Sequence, residues 1–259
     1  MAKIGSPLFI LQEQCAKDLM AVIERLAEIG FDGIEFLGFF GHSPADIRRK
    51  LDSCGIAAIG DHVPFERFVS ETGKVISERG EIGCSFITVA PPPPEGMPGG
   101  TDYPRTIEAF IKIGEAVNAA GMRLLFHNHA EELCGTADGK TVLEHLMDDI
   151  PPAILGLEPD FGWMGIGGAD PAYYLRKYGS RSPVLHFKDY IPSDNEQGFL
   201  FRPTGYGVID NAGLYAMSLA ASKPEWYVMD HDHAYGRDIF RDLEISLDYF
   251  RNLEIISNN

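Results

Sequence analysis

Imidazole and carboxylate side chains recur in this sequence at the ends of short apolar segments, where they could bind a metal ion or transfer protons. Of the eight histidines, only His42 and His145 lie elsewhere. The residues that follow the pattern are Glu35, Asp61, His62, His127, His129, Glu158, Asp160, His186, Lys188, Asp230, His231, Asp232 and His233. Such groups, once brought together, would repel one another or stay unsatisfied unless they shared a cation. The residue types therefore predict a divalent metal site.

Mixed imidazole and carboxylate ligation narrows the choice of metal. Mn²⁺, Co²⁺, Fe²⁺ and Zn²⁺ accept both kinds of ligand, whereas Mg²⁺ and Ca²⁺ prefer oxygen alone. We therefore expect Mn, Co, Fe or Zn as the cofactor, with Mg as the alternative. A single histidine at such a place is more often a hydrogen-bonded structural residue, so the prediction depends on the whole set.

The apolar segments alternate with amphipathic helices along the chain. Helices are predicted at residues 18–29, 43–54, 65–82, 106–120, 141–147, 171–178, 211–221 and 238–253, and strands near residues 8–10, 33–36, 57–60, 86–89, 122–126, 154–157, 184–187 and 226–229. Strict alternation predicts parallel pairing, and eight such units close most naturally into an α/β barrel of the (β/α)8 type. An open doubly wound sheet is the alternative, but no GxGxxG motif follows the first strand. In such a barrel the strand ends form the active-site rim, which is where the polar residues fall.

The length, net charge and composition of the chain limit which other kinds of protein it could be. A chain of 259 residues suits one barrel domain over residues 1–259. The formal net charge of −16, from 38 acidic and 22 basic residues, would repel nucleic acid. No apolar run is long enough for a membrane span, the chain starts without a signal peptide, and the four cysteines lack CxxC spacing. We expect a cytoplasmic protein with a small-molecule sugar substrate; self-association into a homo-oligomer stays open.

Five stretches give the sequence a family resemblance. They are residues 30–36 (GFDGIEF), 126–129 (FHNH), 160–163 (DFGW) with 168–171 (GADP), 186–189 (HFKD) and 205–210 (GYGVID). In this order and spacing they resemble the sugar phosphate isomerase/epimerase family, the xylose isomerase-like TIM barrels, over nearly the whole chain. The resemblance implies metal ligands from strands five to eight, which here are His127, Asp160, His186 and Asp230.

Two departures from the family pattern bear on mechanism. The best-known epimerases of the superfamily use glutamates as the first and last ligands, and these also exchange the substrate proton. His127 and Asp230 stand at those places here. The glutamate that usually lies between the two glycines after strand seven is Tyr206. The resemblance thus implies a metal-dependent sugar enzyme without implying the two-glutamate mechanism.

The expected chemistry starts with a metal ion that binds adjacent hydroxyl and carbonyl oxygens and stabilises an enediolate-type intermediate. Reprotonation makes the enzyme an isomerase or epimerase of a sugar, sugar phosphate or polyol, which is our first expectation. Loss of a β-hydroxyl makes it a lyase or dehydratase of a keto-sugar or inosose, which is the alternative. The candidate bases are Asp230, Glu158 and His231. The candidate substrate-binding residues are Glu35, His62, His129, Trp163 and Lys188.

Structural interpretations compete with several of these assignments. Glu35 could form a salt bridge at the barrel mouth, Trp163 could be a core residue, and Lys188 could pair with Asp189. A non-catalytic sugar-binding barrel is a further reading, disfavoured because all four ligand positions hold groups able to coordinate. A DNA-repair endonuclease on the same barrel would need a richer zinc cluster and a basic groove, which the net charge of −16 opposes.

Overall fold

The computed structural model describes residues 3–136 and 138–257. Within these residues the strands are β1 Lys3–Pro7, β2 Gly33–Phe36, β3 Ala57–Val63, β4 Phe86–Val89, β5 Arg123–His127, β6 Leu155–Glu158, β7 Val184–Pro192, β8 Phe199–Arg202 and β9 Trp226–Asp230. The helices are α1 Gln12–Ile29, α2 Pro44–Cys54, α3 Phe65–Ile82, α4 Tyr103–Ala119, α5 Val142–Asp149, α6 Phe161–Ile166, α7 Pro171–Tyr178, α8 Asn211–Ala221 and α9 Ile239–Ser257. None of these helices is both long enough and apolar enough to cross a membrane.

Local sequence signals begin and end several of the helices. The Ser43 side chain accepts a hydrogen bond from the Asp46 amide at the start of α2, where Pro44 fits the first helical position. Thr141 and Glu144 form a reciprocal capping box at α5. Gly55 ends α2 with a φ of 67°, a left-handed conformation that costs glycine little. These signals fix where each helix returns the chain to the sheet.

The strands form one curled sheet in the order β6-β5-β4-β3-β2-β1-β9-β7-β8. All pairs are parallel except β7 and β8, which form an antiparallel hairpin. Between β6 and β7 the ring is completed by a parallel bridge at Asp160 and His186, where the His186 amide donates to the Pro159 carbonyl oxygen at 3.0 Å. The predicted (β/α)8 TIM barrel is confirmed, and two candidate metal ligands lie where it closes.

Two apolar layers hold the barrel. The larger one packs the helices against the outer face of the sheet. A smaller cluster fills the barrel interior and consists of Ile59, Phe86, Leu125, Val184, Trp226 and Val228. Gly33 makes room for it, since a Cβ there would lie 2.5 Å from the Trp226 ring. This interior cluster excludes water from the barrel and leaves the polar groups at the carboxyl ends of the strands.

The structure corrects the predicted elements in three places. The first strand is β1, and the predicted strand near residues 8–10 is a 3₁₀ turn instead, Phe9–Leu11. The sequence pattern hides β1 because Gly5 stands where the Ile59 side chain fills the barrel interior. Helix α6 and strand β8 were not predicted, so the described residues contain nine helices and nine strands. Helix α6 and strand β8 both lie in segments that follow candidate site residues, where the sequence shows the least helix or strand periodicity.

Candidate active site and metal centre

A cavity of about 180 Å³ opens at the carboxyl ends of the strands. Its polar lining consists of Glu35, His62, His127, His129, His186, Lys188, Asp230 and Asp232, and its apolar lining of Pro7, Phe9, Phe36, Leu37, Pro64 and Ala90. The later strands thus contribute only polar side chains to the cavity, whereas the apolar ones come from β1 to β4 and the loops after them, beside Glu35 and His62. This is the part of a barrel where enzymes of this fold assemble their active sites.

Three predicted ligands converge in a group that we call the aspartate cluster, consisting of Asp160, His186 and Asp230. One ligand atom from each lies within 4.8 Å of the others. His186 Nδ1 is 3.2 Å from Asp230 Oδ2. All three side chains are buried. The strand ends therefore bring three of the four predicted ligands together.

His127, the fourth predicted ligand, lies in a neighbouring group that we call the histidine cluster. This group consists of His62, His127, Glu158 and the shared His186. His127 Nδ1 is 3.1 Å from Glu158 Oε1, whereas its Nε2 is 3.7 Å from Asp160 Oδ2. His127 thus stands between the two clusters, with its closer partner in the histidine cluster.

Glu158 organises the histidine cluster. Its Oε1 lies 2.9 Å from His62 Nε2 and 3.3 Å from His186 Nε2, in addition to its contact with His127. Its Oε2 accepts a hydrogen bond of 2.8 Å from the Thr88 hydroxyl. Glu158 is fully buried and does not line the cavity. Its contacts orient the imidazole rings, a different placement from the one expected for a base that meets substrate directly.

Glu35 closes the group from the other side. Its Oε2 is 3.1 Å from His62 Nε2 and 2.9 Å from His186 Nε2, and the residue is 1% exposed. The two ring nitrogens of His186 therefore face different carboxylates, with Nε2 toward Glu35 and Nδ1 toward Asp230. Glu35 therefore lies at the barrel mouth, as expected, but the side chains that it contacts there are imidazoles.

Charge coupling in the histidine cluster shifts the pKa values of its members. Burial lowers the pKa of His62, but the charges of Glu35 and Glu158 outweigh burial and raise it to about 10. Burial and the charge of Glu35 raise the pKa of Glu158, yet His62, His186 and the His127 hydrogen bond lower it to about 2. Burial lowers the pKa of His127 well below its usual range, against the opposing effect of its hydrogen bond to Glu158. Burial also lowers the pKa of His186, but the charges of Glu35 and Glu158 outweigh burial and raise it well above its usual range. His62 and His186 thus hold protons more strongly than His127 does.

Lys188 lies beside the aspartate cluster. Its Nζ is 2.9 Å from Asp160 Oδ2, 3.0 Å from Asp230 Oδ2 and 2.6 Å from Asp232 Oδ1. Burial raises the pKa of Asp160, Lys188 lowers it, and Asp230 raises it again, with a net value of about 6. The ammonium group therefore neutralises part of the negative charge that these aspartates bring together.

Asp189, the alternative partner of Lys188, points away from the site. Its carboxylate accepts hydrogen bonds from the amides of Tyr190, Gly205, Gly207 and Ile209 and from the Asn211 side chain. Successive residues of β7 face opposite sides of the sheet, so Lys188 and Asp189 cannot share one partner set. The structural alternative for Lys188 is therefore wrong: its partners are the aspartates of the mouth.

The structure places the remaining predicted residues at different distances from the cavity. Strand β5 ends at His127, so His129 lies in the following loop, where it is half-exposed and 3.9 Å from Glu132. Trp163 does not line the cavity but packs on its Lys188 wall, with its ring centroid 5.8 Å from that of His129 and 5.3 Å from Lys188 Nζ. His231 is buried outside the cavity, with Nε2 3.5 Å from Asp242 of α9. The interpretation of His231 as a base therefore loses its geometric support.

Several contributors to the site were missed in the sequence. Thr88 near the end of β4 supports Glu158. Asp232 after β9 belonged to the sequence pattern but had no assigned role, and it is the nearest partner of Lys188. Phe199 and Phe201 of the hairpin strand β8 pack against Trp163, with ring centroids 5.9 and 5.5 Å apart. The position of Thr88 at a strand end was an available signal. The hairpin gave none, because its residues follow no helix or strand pattern of the barrel repeat.

The donor set of the aspartate cluster fits a divalent transition metal. Asp160 Oδ2 and Asp230 Oδ1 are buried and make no well-formed hydrogen bond to the described residues, and the same holds for His186 Nε2 on the side of the ring that faces Glu35. Buried polar atoms of this kind are costly unless an ion or water satisfies them. One imidazole with two carboxylates suits Mn²⁺, Fe²⁺, Co²⁺ or Zn²⁺. The residues present are therefore consistent with the expected metal.

A (β/α)8 barrel with imidazoles and carboxylates clustered at its strand ends is the architecture of a metal-dependent barrel enzyme. Residues 23–231 match the family model of the xylose isomerase-like TIM barrels. The chain belongs to that family, which confirms the resemblance seen in the sequence.

Similar proteins differ in the reaction for which they are named. The chain is 27% identical over 254 residues to an inosose dehydratase of Bacillus cereus (strain AH820), covering 84% of this chain and 81% of that protein. A sugar phosphate isomerase/epimerase structure from Parabacteroides distasonis ATCC 8503 has a TM-score of 0.79 at 21% identity, covering 97% of this chain and 94% of that one. The structure of the IolI protein with a bound zinc atom has a TM-score of 0.74 at 12% identity, covering 97% of both chains. The two structural likenesses show the fold, and the relatives as a group belong to an enzyme superfamily.

Proposed function

We propose that this chain is a metal-dependent enzyme that removes the proton alpha to the carbonyl of a keto-sugar or keto-polyol and then eliminates a β-hydroxyl group as water. The observation that carries the proposal is the convergence of Asp160, His186 and Asp230 beside the cavity. The name of the Bacillus cereus relative supports elimination as the outcome.

Asp160, His186 and Asp230 would hold the ion, with His127 next to them. The chemistry that such an ion would supply is polarisation of the substrate carbonyl, which would make the alpha proton acidic enough to remove near neutral pH. Thr88 and Glu35 support this arrangement indirectly, because they fix Glu158 and His186 in place.

Asp230 is the preferred base. Its Oδ2 lies near His186 and Lys188, while its Oδ1 has no hydrogen-bond partner among the described residues, and the residue lines the cavity. Burial raises the pKa of Asp230, but Lys188 and His186 outweigh burial and hold it well below its usual range. The carboxylate is therefore ionised at neutral pH and can accept the alpha proton at Oδ1.

His62 is the preferred acid. It lines the cavity, its side chain is 22% exposed, and its Nε2 is held between Glu35 and Glu158. In the elimination step, the electron pair of the former C–H bond forms the new double bond and the C–O bond breaks. The leaving hydroxyl takes a proton from His62 and departs as water.

Isomerisation or epimerisation is the second candidate, because it shares the first step. The Parabacteroides distasonis neighbour is named for that chemistry. An acid such as His62 could return a proton to carbon in place of oxygen. The two-glutamate form of the reaction is not supported, since His127 and Asp230 occupy those positions.

Incubation of the Mn²⁺-loaded protein with an inosose in deuterated water tests the proposal. We expect a product lighter than the substrate by one water molecule, observed by mass spectrometry, and no product from Asp160→Asn. A product of unchanged composition that carries deuterium at the alpha carbon would favour the second candidate. Retention of all alpha protons across a panel of keto-sugars and keto-polyols would contradict both.

A further inference from the structure

Negative charge dominates the mouth of the barrel. Five carboxylates surround the cavity or support its walls, namely Glu35, Glu158, Asp160, Asp230 and Asp232. Among the described residues that line the cavity, Lys188 is the only lysine or arginine. A divalent ion and the Lys188 ammonium together carry three positive charges, fewer than the five negative charges of these carboxylates. The mouth therefore stays negative in the loaded enzyme.

Lys188 is already committed to these carboxylates. Its Nζ lies within 3.0 Å of an oxygen of Asp160, Asp230 and Asp232, and the side chain is 1% exposed. The Trp163 and Phe201 rings lie 5.3 and 5.5 Å from Nζ. A phosphate or carboxylate of a substrate would have to displace an aspartate from it, because three carboxylates already share this ammonium group.

Backbone amides are the other means of binding an anion, and barrel enzymes often take phosphate on the loops after the seventh and eighth barrel strands. After β7, the amides of Gly205, Gly207 and Ile209 donate to the carboxylate of Asp189. A Cβ at Gly207 would lie 2.2 Å from Asp189 Oδ1, so the loop is closed tightly on this carboxylate. The chain's own carboxylate therefore satisfies these amides, and they are not available to a substrate phosphate.

The helices that follow these loops are capped in the same way. Asp210 accepts from the Gly213 amide at the start of α8. Asp238 accepts from the amides of Phe240 and Arg241 at the start of α9. Helix α3 begins beside the cavity without a side-chain cap, but Glu66 stands in its first turn. The positive ends of these helices therefore already face acidic side chains.

We infer that the substrate is an uncharged keto-polyol, and that the site rejects sugars bearing a phosphate or carboxylate group. The inference rests on the proposed function, because it takes the reaction from there. It concerns only the electric charge of the substrate that the site accepts. An anionic substituent would meet excess negative charge, one committed ammonium group and amide donors that are already satisfied. The cavity of about 180 Å³ also suits one compact ring better than an extended ester.

Ligand binding to the Mn²⁺-loaded protein, measured by isothermal titration calorimetry beside turnover, tests this inference. The probes are an inosose, the same inosose bearing a phosphate ester, and a keto-cyclitol carboxylate. We expect the two charged probes to bind at least about 100-fold more weakly than the neutral one. Equal or tighter binding of either charged probe would overturn the inference while leaving the proposed reaction intact.

A charge variant makes the test specific to Lys188. Asp232→Asn removes its nearest partner, and we expect the phosphate ester to gain about tenfold in affinity relative to the inosose. Asp194→Asn, on the exposed hairpin loop, is the matched control and should leave the preference unchanged. An unchanged preference in Asp232→Asn would contradict the inference. Absence of binding and turnover for all three probes would instead defeat the proposed function, and the inference with it.

Discussion

Two buried aspartates, Asp189 and Asp230, occupy the same end of the barrel and have opposite surroundings. Asp189 accepts five hydrogen bonds, which hold the loop after β7. Asp230 has one oxygen with no hydrogen bond, and its neighbours are the charged groups Lys188 and His186. One carboxylate is satisfied by neutral amides of the fold, and the other is satisfied only by other charges.

The same contrast appears along β3. Asp61 accepts from the Gly38 amide and from Arg79, whose side chain is as buried as its own. The next residue, His62, faces the cavity and the glutamates. Because strand residues alternate between faces, each strand end supplies one side chain to stability and one to the site. Carboxylate oxygens without hydrogen bonds therefore accumulate on the inner face, and this marks it as functional.

Removal of a cavity-side aspartate should have the largest effect, and on activity rather than stability. Asp160→Asn keeps an acceptor for the Trp163 amide, so α6 retains its cap. We expect turnover to fall about a thousand-fold and metal content to fall with it, since a ligand is lost. Elemental analysis and thermal melting check this. Normal metal content in the variant would show that Asp160 is not a ligand.

Lys188→Met should have the next largest effect, on the protein prepared without metal. Three carboxylates would lose their shared cation in a buried place, a loss worth about 4 kcal/mol of unfolding free energy. Added Mn²⁺ should then stabilise the variant more than the wild type, because the ion replaces the missing charge. Denaturant titrations with and without Mn²⁺ measure the loss of unfolding free energy in the variant and the stabilisation that Mn²⁺ gives to each protein. If Mn²⁺ stabilised the two proteins equally, the charge of Lys188 would not be coupled to the metal site.

Asp189→Ala should destabilise the fold without altering metal binding. Its loss leaves several buried amides without an acceptor, and we expect about 3 kcal/mol lower unfolding free energy. The exposed Asp194→Ala is the control and should change stability by less than about 0.5 kcal/mol. If Asp189→Ala instead lost metal while keeping its stability, the contrast between the two faces of β7 would be wrong.

Loss of the Glu144 carboxylate, a largely buried group of helix α5, should have the smallest and most pH-dependent effect on stability. Burial raises the pKa of Glu144, but Lys177, the Thr141 amide and Tyr173 lower it to about 2 from an ordinary value of 4.5. Because the folded pKa is the lower one, this stabilisation is fully present above about pH 4.5 and is lost as the pH falls toward 2. Glu144→Gln should therefore cost about 1 kcal/mol near pH 7, and the difference from wild type should shrink below pH 4.5. Urea titrations at pH 7 and pH 3 measure it, and a difference that grew in acid would refute the assignment.

Much of the architecture followed from local sequence. Helices at residues 65–82, 171–178 and 211–221 begin and end as predicted, because their apolar spacing and flanking residues are local signals. The alternation of eight strand and helix units predicted the closed barrel, and barrel closure predicted that the polar residues at the strand ends would share one rim. The family resemblance then singled out Asp160, His186 and Asp230 among them. The fold itself needs only the periodicity of the chain and the parallel direction of its strands.

Tertiary structure decided which partner each polar residue meets. The sequence left open whether Lys188 pairs with Asp189 or lies in the site. In the structure its side chain lies on the inner face of β7 and contacts Asp160, Asp230 and Asp232. It offered His231 as a base, but the turn after β9 directed that ring to Asp242. The hairpin strand β8 that packs on Trp163 follows no repeat in the chain. Side-chain direction at a strand end depends on register and on where the strand stops, and both are set by contacts between segments far apart in sequence.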